Sequence, residues 1–175
     1  MKTTFDHLYE TYHRDVYQYI FYMVKDKAIT EDLLQETYIK VLQAYEKFRG
    51  ESSEKTWLFS IARHTVMDYF RKQQRRKQVF FGLFSKDDEE VTNQLIDKAP
   101  LPEELTALNE ELQMIYHYLD ACSLDQKNVI ILRFIQSLSI HETARILEWT
   151  ESKVKTTQHR ALKKLRHLIE QNEKR

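Results

Sequence analysis

Residues 136–169, QSLSIHETARILEWTESKVKTTQHRALKKLRHLI, hold two helix starts with a break between them, which confines this stretch to two helices joined by a tight turn. Ser139 followed three residues later by Glu142 makes a capping box, so one helix begins there. Ile140, Ala144, Ile146 and Leu147 give it an apolar side. Glu148-Trp149-Thr150 interrupts it, and Thr150 suits the N-cap of a second helix from Glu151. In that second helix Val154, Ala161, Leu162, Leu165, Leu168 and Ile169 form a core stripe at helical spacing. Lys153, Lys155, Thr156, His159, Arg160, Lys163, Lys164 and Arg166 fall mostly off it. A short helix, a tight turn and a basic, hydroxyl-bearing helix meet the demands of major-groove reading by a helix-turn-helix. Lys153 sits in the first turn, where the helix dipole disfavours a cation by about 0.3–1 kcal/mol and a nearby phosphate would reverse the sign. The plainer reading, a solvated basic face, loses weight because a capped helix precedes it.

Only two Gly and two Pro occur in 175 residues, which argues for an all-helical chain with few tight turns. The net charge of zero hides segregation. Residues 63–77 hold six basic residues and one acid, and residues 151–175 hold eight basic and three acidic. Residues 87–111 between them hold nine acids and one Lys. Two basic segments flanking an acidic one point to two nucleic-acid contacts separated by something else. The single Cys122 excludes an intrachain disulfide and a cysteine-based zinc site, in keeping with a cytoplasmic address. The most apolar run, residues 16–24, contains Gln18 and is too short to span a bilayer, so no membrane insertion is expected. The opening MKTTFDHLYE is too polar and acidic to read as a signal peptide.

In chain order, residues 4–25 read as a first helix with Phe5, Leu8, Tyr12, Val16, Tyr19, Ile20 and Met23 at intervals of three and four. Thr30 is the expected N-cap of a second helix running to about Phe48, with Leu34, Tyr38, Val41, Leu42, Tyr45 and Phe48 inside. Asp32, Gln35 and Glu36 share one face of it, and spacing alone makes that an ordinary solvated face. Gly50 closes the helix, and Ser52 or Ser53 begins a third, with Trp57, Leu58, Ile61, Met67 and Phe70 on its apolar side. A kink or loop is expected within residues 62–68. The third helix ends in FRKQQRRK, where five of eight residues are cationic, too dense for i,i+4 pairing and suited to tracking phosphates. Periodicity fails from Gln78 to about Glu104, where Gly82, Pro100 and Pro102 fall, so this reads as an acidic linker. Its start, residues 79–84, is too apolar to be wholly solvated. Residues 105–119 and 124–135 read as two more helices packed with the helix-turn-helix.

Three of these stretches carry a resemblance: ITEDLLQETYIKVLQAYEKF, KTWLFSIARHTVMDYFRK, and LDQKNVIILRFIQSLSIHETARIL with SKVKTTQHRALKKLR. In order and spacing they resemble the extracytoplasmic-function sigma factors of bacterial RNA polymerase. The resemblance implies two small helical domains, region 2 over residues 1–77 and region 4 over 105–175, joined by a flexible linker over 78–104. It implies that Asp32, Gln35 and Glu36 dock on the beta-prime clamp helices of core RNA polymerase, with the beta flap as a further contact. Arg63, His64 and Thr65, in a loop over 63–67, would hold a flipped base of the minus-ten element. Arg71, Lys72, Arg75 and Arg76 would contact phosphates near the edge of the melted DNA. Ser152, Lys153, Lys155, Thr156, His159 and Arg160 would read the minus-thirty-five element, where a good base contact is worth about 1–3 kcal/mol. A membrane-anchored anti-sigma factor and promoters of cell-envelope or stress genes are further implications. The chain departs from the family pattern at His64, often Asn, at Glu148, usually Gly, and at Thr157, commonly Arg. Glu148 is therefore expected at positive φ.

No paired metal-ligand spacing, glycine-rich phosphate loop or nucleophile motif accompanies His13, His64 or His141, so neither an enzyme nor a cofactor is expected. The rival reading is a stand-alone helix-turn-helix regulator, which would bind duplex DNA by itself, as a dimer on two half-sites.

Overall fold

Helix ends in this chain are set by short polar side chains, and they divide the structure into seven α-helices among the described residues. A computed structural model describes residues 4–83 and 110–175. Helix α1 spans Thr4–Val24, α2 Lys27–Ala44 and α3 Glu54–Leu83. Helix α4 spans Glu110–Tyr118, α5 Leu124–Ile130, α6 Ile140–Leu147 and α7 Glu151–Glu173. No strand occurs among the described residues. The acidic segment and the start of the expected helix at 105 lie outside them.

Several helix starts follow the expected chemistry. Ser139 and Glu142 form the full capping box, and Thr150 Oγ1 accepts from the Lys153 amide at 3.1 Å. Ser53 caps α3, its Oγ accepting from the Thr56 amide at 3.1 Å. A capping box not foreseen, Ser123 with Gln126, opens α5. The start of α2 needs correcting. Asp26, not Thr30, is its N-cap and accepts from the Ile29 amide at 2.9 Å. Thr30 lies one turn inside, buried, with its hydroxyl on the Asp26 carbonyl. A carboxylate at the cap also meets the positive end of the dipole, which a hydroxyl does not.

The face of α2 is likewise rotated from expectation. Thr30, Leu33, Thr37, Tyr38 and Val41 point inward, whereas Leu42 is 55% exposed. Helix α3 has no loop at residues 62–68. It is continuous through residues 62–68 because Ala62, Thr65 and Val66 face the core there, and it continues past Lys77 to Leu83. A Thr at a buried helical position satisfies its hydroxyl on the preceding turn, here Thr65 Oγ1 on the Ile61 carbonyl at 3.0 Å, so polarity does not break the helix.

Helices α1, α2 and α3 pack around Leu8, Val16, Ile20, Leu58 and Phe59, and α5, α6 and α7 around Val129, Ile130, Ile146, Val154 and Ala161. The two bundles meet along α1, α3, α5 and α6. Tyr19 Oη donates to Asn128 Oδ1 at 2.6 Å across the junction, with both residues essentially inaccessible. After α5 the backbone widens over Ile131–Ile135 into a π turn, with the Gln136 amide on the Ile131 carbonyl at 2.9 Å. Gln136, 4% exposed, then places its Nε2 3.1 Å from both the Asp15 carbonyl and Gln18 Oε1. At the other end Lys25 Nζ lies over the Tyr116 ring at 4.3 Å, donates to the Tyr116 carbonyl at 2.7 Å and meets Asp120 at 3.1 Å. Burial lowers the Lys25 pKa, and Asp120 opposes the shift.

Candidate polymerase and nucleic-acid interfaces

On α2, Asp32 and Gln35 are exposed and Glu36 is half-buried, on the side of the helix away from the core. The same stripe continues one and two turns on with Ile39 and Leu42, each 55% exposed. Acid, amide and two uncovered aliphatic side chains in one row differ from an ordinary wet face, which has no use for aliphatic groups. Sequence reading missed both, since Leu42 fits the core stripe if the helix is phased from Thr30. Glu36 also pairs with Lys40 at 3.2 Å, and Lys40 Nζ donates to Thr65 Oγ1 at 3.2 Å. This chain of contacts runs from the outer face of α2 to the middle of α3.

The seven α3 residues singled out by sequence do not share one environment. His64 is exposed, and Arg63 is mostly buried, its Nε without a hydrogen-bond partner among the described residues. Thr65 is 1% exposed and faces the core, so its grouping with Arg63 and His64 as a base-reading loop does not hold in this structure. Arg71, Lys72, Arg75 and Arg76 are all exposed, with Arg71 paired to Asp68. Beyond them Val79, Phe80, Phe81 and Leu83 are also exposed.

Sequence reading also passed over a cavity of about 190 Å³ before α3, lined by Lys47, Phe48, Arg49, Glu51, Ser52, Trp57 and Arg145. Gly50, with φ of +73°, turns the chain at its rim. Phe48 and Trp57 meet there with ring centroids 4.7 Å apart. Aromatic faces beside cations suit an unstacked base and its phosphate. The signal for it was the group FRG before a Trp, hidden because a Trp in a helical stripe reads as core.

On α7 every residue singled out, Ser152, Lys153, Lys155, Thr156, His159 and Arg160, is exposed, while Val154, Ala161 and Leu165 hold the helix to its neighbours. Lys153 lies 4.0 Å from the Trp149 ring centroid, a cation–π contact that offsets its unfavourable place at the helix start. Arg133 holds the helix in position, its Nε donating to Gln158 Oε1 at 2.9 Å. Glu148, ending α6, has φ of +59°, as expected for a residue standing where Gly is usual. Among the described residues no cluster of three or more His, Cys, Asp or Glu is placed to hold a metal ion, and no helix is long and apolar enough to cross a membrane.

A three-helix bundle with an acidic outer stripe and a basic helix end, joined to a helix-turn-helix, is the architecture of a promoter-recognition subunit. Residues 8–76 match Sigma-70 region 2, and residues 119–167 match Sigma-70 region 4. The chain belongs to the extracytoplasmic-function sigma factors of bacterial RNA polymerase. It is 57% identical over 170 residues to the extracytoplasmic-function RNA polymerase sigma factor SigX of Bacillus subtilis, covering 97% of this chain and 86% of that protein. It is 33% identical to the RNA polymerase sigma factor YlaC of the same organism, covering 91% and 88% of the two chains. Among solved structures it is similar to the sigma factor RpoE of Bartonella quintana in complex with the anti-sigma factor NepR, with a TM-score of 0.74, 23% identity, and 95% and 97% of the two chains covered. That last likeness is one of fold.

Proposed function

We propose that this sigma factor binds core RNA polymerase through the α2 stripe of Asp32, Gln35, Glu36, Ile39 and Leu42. The helices before the acidic segment then read the minus-ten element and the helices after it read the minus-thirty-five element. The observation that carries this reading is the placement of three chemically different faces on three helices: acid–amide–aliphatic on α2, densely cationic on α3, and mixed cationic and hydroxyl on α7. Arg71, Lys72, Arg75 and Arg76 neutralise backbone phosphates without reading sequence, and their contribution falls with salt. Arg63, His64 and the Phe48–Trp57 cavity take the unpaired base. Thr65 acts from behind, through Lys40, rather than by touching DNA. On α7, Lys155, Thr156, His159 and Arg160 face base edges, with Ser152 and Lys153 at phosphates near the helix start.

Each contact is small, and tethering raises the effective concentration of the second once the first is made. The chain supplies recognition, while bond-forming chemistry belongs to the polymerase. An anti-sigma partner, membrane-anchored, and promoters of envelope or stress genes complete the proposal. The RpoE–NepR complex is a sigma factor bound to an anti-sigma factor, and it supports the expectation of an anti-sigma partner here. The test is run-off transcription from a fragmented genomic library with and without core polymerase. Discrete start sites are expected only with both proteins, and Asp32→Ala with Gln35→Ala should abolish them. Footprints on palindromic duplex by this protein alone would favour the stand-alone regulator.

A further inference from the structure

Lysine, arginine, histidine and hydroxyl side chains make up the α7 face assigned to the minus-thirty-five element, and one acid stands at its head. Glu151 is the first residue of α7, and its side chain is 51% exposed. Lys155 and His159, one and two turns on, share its stripe, while Val154, Ala161 and Leu165 turn the other way into the core. The helix is already capped without it, because Thr150 Oγ1 accepts from the Lys153 amide at 3.1 Å. Glu151 Oε1 lies instead 3.2 Å from Nδ1 of His141, the second residue of α6. Glu142, beside His141, is committed to the Ser139 amide at 2.7 Å. The His141–Glu151 pair therefore ties together the N-terminal ends of both helices of the helix-turn-helix.

In a helix-turn-helix the N-terminal residues of the second helix meet base edges, while the first helix crosses the backbone. Glu151 stands at that reading end. From this placement we propose that Glu151 reads a cytosine in the minus-thirty-five element, accepting from its exocyclic N4 amino group, and that His141 holds the carboxylate in position. The inference rests on the minus-thirty-five assignment made above. A carboxylate accepts and does not donate, whereas Lys155 and Arg160 only donate. Over residues 151–161, the first three turns of α7, Glu151 is the one obligate acceptor. Of the four bases, cytosine alone presents an amino donor in the major groove with no acceptor of its own beside it. Adenine sets its N7 lone pair next to its amino group, and guanine and thymine offer acceptors that a carboxylate repels.

An acid in the first turn also complements the helix dipole. That role asks for negative charge alone. It does not call for a histidine from the preceding helix, and it is indifferent to the sequence of the DNA. Against a duplex the same charge is unfavourable, since phosphates flank the groove. A base donor turns that penalty into discrimination, because a wrong base leaves the carboxylate desolvated without a partner. The pair is too exposed to add much stability, so what the His141 contact supplies is orientation. It holds one carboxylate oxygen and leaves the other to the base.

The test uses the full chain with core polymerase on a promoter taken from the genomic run-off. Each position of its minus-thirty-five element is randomised in turn, and the transcribed templates are sequenced. The wild-type chain should prefer cytosine, on one strand or the other, at one position by roughly tenfold. Glu151→Gln should move that position alone toward adenine, whose N6 and N7 an amide meets together. His141→Ala should lose part of the cytosine preference at the same position, and His141→Asn, whose amide nitrogen takes the place of Nδ1, should restore it. Both residues are exposed, so neither substitution opens the core. Profiles left unchanged at every position by Glu151→Gln, with Lys155→Ala still altering one, would confine Glu151 to the helix dipole and overturn the proposal. A change spread evenly over all positions would overturn it too, as the mark of a charge acting on phosphates alone. A full cytosine preference in His141→Ala would remove His141 from the reading. If neither randomisation nor Lys155→Ala changed transcription, the minus-thirty-five assignment would fail and the inference with it.

Discussion

Replacing Tyr19 with Phe should loosen the junction between the two bundles while leaving each intact. The ring stays, so its contact with Phe59, 5.7 Å between centroids, is kept and no cavity forms. Only the hydroxyl goes, and with it the 2.6 Å hydrogen bond to Asn128 Oδ1. Asn128 is 1% exposed, and its amide nitrogen is already committed to the Leu124 carbonyl at 3.1 Å, so the orphaned oxygen has no local substitute. Stranding one buried acceptor costs about 1–3 kcal/mol. That hydrogen bond spans the junction, so the cost falls on the arrangement in which the bundles pack together (closed) and is recovered when they part (open) and water reaches Asn128. A change of 1–3 kcal/mol corresponds to a factor of roughly 5–150 in the closed-to-open ratio. Energy transfer between dyes placed at the exposed positions Glu46 and Glu173 reads that ratio, and urea unfolding of residues 1–83 alone reads the bundle. The expected outcome is a shifted ratio with the urea midpoint of the bundle nearly unchanged. A lowered midpoint with an unaltered ratio would refute the reasoning, since it would mean that the Tyr19 hydroxyl supports its own bundle rather than the junction.

Ile39→Asp and Leu42→Asp should weaken binding to core polymerase in a pull-down while shifting thermal stability by no more than about 0.5 kcal/mol, because both side chains are already in solvent. Glu148→Gly should stabilise the region 4 bundle by up to about 1 kcal/mol in denaturant, since Gly adopts φ of +59° without a Cβ clash. Burial pushes the Tyr22 and Tyr116 hydroxyls up to about 12 from 10.0, with Tyr116 adding to the shift of Tyr22 and Asp120 to that of Tyr116. A raised folded pKa means stability fully present below pH 10 and lost as pH rises through about 12. Lys25, stacked on Tyr116 with its own pKa lowered by burial, loses its charge early in the same climb. The energy-transfer signal should therefore fall between pH 10 and 12, later than the absorbance change of exposed tyrosines. A fall coincident with those tyrosines would contradict it.

Local chemistry was legible in the sequence wherever a side chain acts on its own backbone. The capping box at Ser139 and the cap at Thr150 follow from residues within four positions of each other, whereas the left-handed Glu148 was expected only through the family resemblance. Where two local options compete, context decided. Asp26 and Thr30 are both good caps, and Thr30 lost because the core needed that position one turn inside the helix. That single choice moved the phase of α2 and sent Leu42 outward. The run around His64 and Thr65 looked weakly apolar only because a buried Thr counts as polar in a pattern, although its hydroxyl is satisfied within the helix. The junction between the bundles had no sequence signature. Tyr19 and Asn128 are 109 residues apart, and nothing in either one's neighbourhood names the other.

The π turn at Ile131–Ile135 carries a consequence for how this chain tolerates length changes. A π turn is an α-helix with one residue too many, so here the polypeptide already holds an insertion that the packing has absorbed. Deleting one residue would restore α geometry and turn all that follows by roughly 100° relative to α5. Gln136 would swing away from Asp15 and Gln18, and the helix-turn-helix would present a different side to α3. Within either bundle the fold would change little, yet the angle between the two promoter-reading units would be reset. One codon at this turn is a dial on their relative bearing.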